Sequence, residues 1–230
     1  MPALRDDPAA RTNVPRRPQL HNLNPAQQLR AGKLPRRFLQ LFTGSILFGA
    51  SIGLVIQSQL GAFPWDVLHQ GLARHLPITV GMGNIITGVA ILLLWIPLRQ
   101  ALGLGTILNA VAIGVFTDVT IHFLPVAETL PLQVALMIGG ILLNGVATAT
   151  YIGSQFGPGP RDGLMTGLAR VTGRSIRQVR TALEVTVVAA GWLLGGTLGV
   201  GTLLFAIAIG PLTQFFLRFL TVELDLDRPE

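Results

Sequence analysis

The chain has 230 residues, of which 50% are hydrophobic and 12% charged, and it contains no cysteine. A soluble domain carries roughly 25% charged residues, so this composition excludes a soluble enzyme and a disordered chain, and the lack of cysteine excludes a disulfide scaffold. The net charge of +6 does not indicate nucleic-acid binding, because about half of the 17 basic residues lie between Arg5 and Arg37 without interleaved aromatic residues. Composition therefore predicts an all-α, polytopic membrane protein.

Apolar runs define the predicted elements in chain order. Residues 1–36 are polar and basic and predict a disordered cytoplasmic tail, and residues 222–230 predict a second, short one. Runs that can cross the roughly 30 Å hydrocarbon core predict six transmembrane helices: 38–59, 80–98, 104–124, 132–154, 179–197 and 200–220. Two shorter stretches, 63–76 and 159–171, begin with proline and an early aspartate, as helix starts do, and predict half-helices.

The sequence repeats itself at an offset of 96 residues, which carries Asp66 onto Asp162. Identical motifs align without a gap: Pro64-x-Asp66 with Pro160-x-Asp162, and Gly71-Leu-Ala-Arg74 with Gly167-Leu-Ala-Arg170. We therefore divide the chain into a first transmembrane repeat, 37–125, and a second, 132–221. Each repeat holds three predicted spans, an odd number, so the second repeat enters the membrane from the opposite side. Secondary transporters commonly use this inverted topology.

The distribution of lysine and arginine predicts the orientation in the membrane. Basic residues concentrate in the N-terminal tail and in the loop that holds Arg170 and Arg174, whereas Arg74 is the sole basic residue on the opposite side. Because cytoplasmic loops are enriched in lysine and arginine, we expect both termini in the cytoplasm and Arg74 outside.

Polar and charged residues in the predicted membrane region are candidates for binding or coupling a solute. They are Asp66, Asn109, Arg161, Asp162, Arg180 and Glu184. The two aspartates begin the half-helices, where free N–H groups favour anions or polar groups. In the alternative interpretation they only cap interfacial helices and Arg161 snorkels. Trp65 is predicted to be an interfacial anchor.

Three pairs at helical spacing suggest ion pairs or proton relays. Arg180 and Glu184 are one turn apart and form either a gate or coupling pair, or an interfacial pair that sets helix depth. His69, Asp118 and His122 are secondary candidates, because Asp66/His69 and Asp118/His122 are also one turn apart and histidine titrates near neutral pH. For Asp118 and His122, the alternative is an interfacial pair without function. No nucleophile elbow, metal-ligand cluster or cofactor motif is visible, so we expect no enzyme, metal or cofactor.

The segments at the two half-helices resemble actinobacterial members of the YczE/YyaS/YitT group of bacterial integral membrane proteins. They read Pro64-Trp-Asp-Val-Leu-His-Gln-Gly71 and Gly157-Pro-Gly-Pro-Arg-Asp-Gly-Leu164, and Trp95-Ile-Pro-Leu-Arg99 and Gly191-Trp-Leu-Leu-Gly-Gly196 look similar too. The resemblance covers about residues 38 to 220 and implies a plasma-membrane location. A link between one branch of the group and lipopeptide production implies export or regulation.

Together these features predict a secondary transporter that moves a small solute by alternating access about a central site. The alternative is a non-transporting scaffold or regulator of a biosynthetic or export complex. The expected partners are the lipid bilayer and an unknown small solute, with no nucleic acid, and a homodimer stays open as a third.

Overall fold

The computed structural model describes residue 23 and residues 25–224, and within them it contains nine helices and no strand. The helices are α1 (Pro25–Arg30), α2 (Leu34–Gln57), α3 (Pro64–His75), α4 (Val80–Trp95), α5 (Leu104–Phe123), α6 (Leu130–Gly153), α7 (Pro160–Thr172), α8 (Ile176–Leu193) and α9 (Val200–Leu220). Each predicted helix is present, with ends within about four residues of those expected from periodicity. The all-helical prediction is therefore confirmed for the described residues.

The helix α1 corrects the predicted extent of the disordered tail. Gln28 and Ala31 are buried, and the Gln28 side chain accepts a hydrogen bond from the backbone N–H of Leu104 at 3.1 Å. Composition could not show this, because the contact joins residues that are far apart in sequence. The tail predictions for residues 1–22, 24 and 225–230 lie outside the described residues.

Four helices, α2, α5, α6 and α9, are long and apolar enough to cross a membrane. The bent pair of α3 and α4, whose axes meet at 112°, would add a fifth crossing. Helix α4 has 16 residues, about 24 Å at 1.5 Å per residue. Helix α8 has 18 residues and carries Arg177, Arg180 and Glu184. The described chain thus offers four or five membrane crossings, and six remain a prediction.

The helices pack as two groups. Helix α2 packs against α5 and α6, and α6 packs against α9, around a core that includes Ile52, Met137 and Phe205. Helices α3, α4, α7 and α8 form the second group, around a core that includes Trp95 and Leu164. Helix α4 also packs along α5 and so joins the two groups.

Equivalent residues of the two halves make the same hydrogen bonds, each reaching into the other half. The start of α5 bonds to the segment before α7, and the start of α9 bonds to the segment before α3. The backbone N–H of Gly105 donates to the carbonyl of Phe156, and that of its counterpart Gly201 donates to the carbonyl of Leu60, each at 2.9 Å. The hydroxyl of Thr106 donates to the carbonyl of Pro158 (2.8 Å), and that of its counterpart Thr202 donates to the carbonyl of Ala62 (2.7 Å). Each half thereby holds in place the segment that precedes the other half's short helix.

The two halves differ where their second and third long helices meet. Helix α4 packs so closely on α5 that a Cβ atom at Gly81 would overlap the carbonyl oxygen of Gly114. The equivalent helices α8 and α9 have almost no contact. A Cβ atom at Gly210, the counterpart of Gly114, would meet nothing within 4 Å. A gap therefore separates α8 from α9, whereas α4 and α5 are closed together.

Candidate functional site

A cavity of about 280 Å³ lies beside this gap. Arg180 and Glu184 of α8 line it from one side, and Thr213 and Gln214 of α9 line it from the other. Its remaining wall is largely apolar and includes Phe48, Phe63, Trp65, Ile113, Met165, Phe205 and Ile209. A mostly apolar cavity with a few converging polar groups is the usual form of a small-molecule site.

Both short helices begin at this cavity. Pro64 and Trp65 line it at the start of α3, and Pro160, Arg161 and Asp162 line it at the start of α7. Proline fits the first helical turn because its missing N–H would have no partner in the helix there. The offset of 96 residues thus places two equivalent helix starts at one cavity.

The Arg161 side chain lines the cavity and is held there by two contacts. Its Nη2 donates a hydrogen bond to Oδ1 of Asn84 at 2.5 Å, and its guanidinium carbon lies 5.0 Å from the centroid of the Trp65 ring. Trp65 is buried in the cavity wall and is therefore not an exposed interfacial anchor. No carboxylate oxygen among the described residues lies within 4.0 Å of the Arg161 side-chain nitrogens.

Asp162 faces the cavity beside a tyrosine. The Tyr151 hydroxyl donates a hydrogen bond to Oδ2 of Asp162 at 2.8 Å. Within the described part of the chain, no lysine, arginine or histidine nitrogen lies within 4.0 Å of this carboxylate. Asn109 also lines the cavity, and its Oδ1 accepts a hydrogen bond from Oγ of Ser45 at 3.3 Å.

Arg180 and Glu184 do form the predicted pair. The Arg180 Nε lies 2.7 Å from Oε1 of Glu184, and the two side chains are 43% and 21% exposed. The two opposite charges neutralise each other at the edge of the cavity. The structure therefore brings five predicted residues to one cavity: Asn109, Arg161, Asp162, Arg180 and Glu184.

The Arg180–Glu184 pair allows a test by double substitution. Breaking a buried pair costs about 3–5 kcal/mol and breaking an exposed one about 0–1, so for this partly exposed pair we expect Glu184→Gln to cost about 1–3 kcal/mol. Adding Arg180→Gln should restore part of that loss, because no unpaired charge then remains. Thermal unfolding of the single and double variants in detergent measures this coupling. Near-zero, additive effects would show a solvated pair of no structural consequence.

Asp66 lies behind the cavity and does not line it. Its Oδ1 is 2.9 Å from Nδ1 of His69, and Nε2 of His69 is 2.8 Å from Oγ1 of Thr87. Asp66 and His69 are at most 1% exposed, and Oδ2 of Asp66 is buried without a hydrogen-bond partner among the described residues. Because a carboxylate only accepts hydrogen bonds, this contact places a proton on Nδ1 of His69. Whether the pair acts as a proton relay stays a prediction.

The structure does not bring Asp118 and His122 together. Asp118 accepts hydrogen bonds from the backbone N–H of Gly81 at 2.8 Å and from the Thr79 hydroxyl, so it joins the start of α4 to α5. His122 is exposed, with its ring edge-on to Phe123 at 5.0 Å. Within the described residues, no group of three or more histidine, aspartate or glutamate side chains could hold a metal.

Asn84 and Tyr151, the cavity residues that contact Arg161 and Asp162, were not predicted as site residues. Asn84 occupies the position equivalent to Arg180 at the offset of 96 residues, so comparison of the repeats could have indicated it. Tyr151 is the single tyrosine of the chain, but its counterpart is Val55. No internal comparison could therefore single out Tyr151.

Comparison with known proteins assigns the chain to a family. Residues 35–218 match the model of DUF6198, a family of unknown function. The chain belongs to this family. It is 43% identical over 180 residues to an uncharacterized protein of Haemophilus influenzae, covering 78% of this chain and 82% of that one. No solved structure matches it.

Two Bacillus subtilis relatives confirm the resemblance to YczE and YyaS. The chain is 35% identical over 187 residues to the uncharacterized membrane protein YczE, covering 80% of this chain and 87% of YczE. It is 27% identical over 186 residues to the uncharacterized protein YyaS, covering 79% of this chain and 92% of YyaS. With its long apolar helices, the chain is a membrane protein of this YczE-like, DUF6198 family.

Proposed function

We propose that this protein is a secondary transporter that moves a small solute across the bacterial plasma membrane by alternating access. The observation that carries the proposal is the arrangement of the helices around the cavity at which both short helices begin. Its two bordering helix pairs are equivalent in sequence, yet α4 is closed on α5 while α8 stands apart from α9. In an inverted repeat, exchanging these two arrangements would move the opening from one side of the membrane to the other.

The reciprocal hydrogen bonds support an inverted repeat. Two equivalent units related by a twofold axis make each cross-contact twice, once in each direction. The bonds from Thr106 to Pro158 and from Thr202 to Ala62 have this relation. Six crossings, with both termini in the cytoplasm, then follow from counting α4 and α8 as short spans.

This topology assigns a direction to the described state. The start of α4 and the end of α5 lie on the outer side, where Asp118 holds Gly81 and closes the pair. The start of α8 and the end of α9 lie on the cytoplasmic side, where Arg180 and Gln214 border the gap. The described state is therefore the inward-open one of the proposed cycle.

The proposed topology predicts opposite labelling of two single-cysteine variants. Arg74→Cys, in the last turn of α3, should react with an impermeant thiol reagent from outside, and Arg174→Cys, before α8, should react from the cytoplasmic side of inverted vesicles. Both positions are exposed and the native chain contains no cysteine. Reaction of both variants from the same side would reject the inverted repeat.

The transport function itself is tested in cells and then in vesicles. Metabolite profiling of a deletion strain identifies the solute, and purified protein in proteoliposomes should then carry that solute. Arg161→Gln and Asp162→Asn should abolish the flux at normal membrane abundance, whereas Arg174→Gln, on an exposed loop, serves as the control. If the strain's phenotype is restored by Asp162→Asn, and no solute moves in vesicles, the protein is a scaffold and not a transporter.

A further inference from the structure

The charges that line the cavity are one ion pair and two groups, Arg161 and Asp162, that have no ion-pair partner within 4.0 Å among the described residues. Asp66 and Asp162 attract the Arg161 charge only from a longer distance. Arg180 and Glu184 neutralise each other at 2.7 Å. Arg161 and Asp162 are neighbours in sequence and line the same cavity, yet neither has an ion-pair partner among the described residues. Their side chains form hydrogen bonds with the neutral side chains of Asn84 and Tyr151.

An unpaired charge inside a membrane protein is costly and marks a functional contact. A ligand that is only an anion would pair with Arg161 and leave Asp162 unpaired. A ligand that is only a cation would leave Arg161 unpaired. Because both groups sit in one cavity, a ligand with one charge of each sign pairs both.

From this arrangement, and resting on the proposed function of the cavity, we infer that the solute is a small zwitterion with an apolar body, of the α-amino acid class. The planar guanidinium of Arg161 suits a carboxylate, which it can bind through two parallel hydrogen bonds. The carboxylate of Asp162 suits an ammonium group. The aromatic and aliphatic wall of Phe48, Phe63 and Ile113 suits an apolar side chain.

The cavity size agrees with this class. Pockets for drug-sized ligands span about 300–1,000 Å³, and this cavity, at about 280 Å³, lies just below that range. Large amphiphiles and peptides would not fit without opening the helices further. A single amino acid with a leucine-like or phenylalanine-like side chain is of suitable size.

Four probes with one apolar body test the inference. They are L-phenylalanine (zwitterion), N-acetyl-L-phenylalanine (anion), L-phenylalaninamide (cation) and N-acetyl-L-phenylalaninamide (neutral), and leucine analogues provide a second body. Binding to the purified full chain in nanodiscs is measured by calorimetry. We expect the zwitterion to bind at least about tenfold more tightly than each of the others, which corresponds to about 1.4 kcal/mol per tenfold.

Two variants separate charge recognition from a structural effect. Arg161→Gln should weaken binding of the zwitterion and the anion while sparing the cation. Asp162→Asn should weaken binding of the zwitterion and the cation while sparing the anion. A merely structural loss would weaken all probes equally. Equal affinity for the four probes, tighter binding of a singly charged probe, or no binding in either series would overturn the inference. The proposed transport function would stand in those cases if α4–α5 and α8–α9 still exchange their open and closed arrangements.

Discussion

Arg37→Gln is expected to lower the free energy of unfolding by about 3–5 kcal/mol, because it leaves at least two buried carbonyls without a donor at about 1–3 kcal/mol each. The Arg37 side chain is fully buried. Its nitrogens donate to the backbone carbonyls of Gln28 (2.6 Å), Ser154 (2.9 Å) and Gln155 (3.0 Å), and its guanidinium carbon lies 4.3 Å from the centroid of the Phe156 ring. These contacts join α1 and α2 to the end of α6.

A neighbouring arginine provides the matched control. Arg36 is exposed, and Arg36→Gln removes the same charge, so its effect should stay within about 0.5 kcal/mol. Thermal unfolding in detergent compares the two variants. Should Arg37→Gln fail to accumulate in the membrane, Arg37→Lys offers a milder test, because lysine keeps the charge but lacks the planar fork that reaches three carbonyls. Similar stabilities for the variants at positions 36 and 37 would show that the buried arginine is not a structural anchor.

Gly163→Ala should displace the start of α7 and with it the charged wall of the cavity. A Cβ atom at Gly163 would overlap the six-membered ring of Trp95. Trp95 is 2% exposed, and its Nε1 donates to the carbonyl of Pro160, the first residue of α7, at 3.1 Å. Overpacking of a tight core costs typically about 1–3 kcal/mol, occasionally more, and we expect the upper part of that range here because the ring cannot yield without losing its hydrogen bond.

A second substitution distinguishes overlap from a general effect of alanine. Trp95→Phe makes room, so the double variant Gly163→Ala/Trp95→Phe should lose less stability than the sum of the two single losses. Gly139→Ala is the matched control, because a Cβ atom there meets nothing within 4 Å. Purely additive losses in thermal unfolding would contradict direct contact between the ring and position 163.

Local patterns in the sequence were enough to predict the helices from α2 to α9 and the charged residues of the cavity. Apolar run length located each long helix, and proline followed by an early aspartate located both short ones. The charged residues of α7 and α8 were predicted as site residues because charge is costly inside a membrane. The structure brings Arg161, Asp162, Arg180 and Glu184 to one cavity.

The contacts that depend on distant segments could not be predicted. Arg36 and Arg37 look alike in sequence, and only the carbonyls at Ser154 and Gln155 make one of them a buried anchor. Asp66 and Asp162 occupy equivalent positions, yet one pairs with His69 behind the cavity and the other faces it. Those differences follow from the packing of the second half against the first, which pattern and composition do not encode.

The central claim, that α4–α5 and α8–α9 exchange arrangements, can be measured without a ligand. Spin labels at Met82 and Val119 report on the outer pair, and labels at the equivalent positions Gln178 and Phe215 report on the cytoplasmic pair. All four positions are exposed, and the native chain has no cysteine to label in addition. Gly81→Ala serves as the perturbation, because its Cβ atom cannot fit while α4 is closed on α5.

Pulsed electron–electron double resonance then gives both distance distributions in the native and Gly81→Ala backgrounds, with Gly139→Ala as the control. Alternating access predicts that Gly81→Ala lengthens the distance between positions 82 and 119 and at the same time shortens the distance between positions 178 and 215. If the outer distance lengthens while the cytoplasmic one stays fixed, or if both lengthen together, the two helix pairs are not coupled and the protein does not work by alternating access.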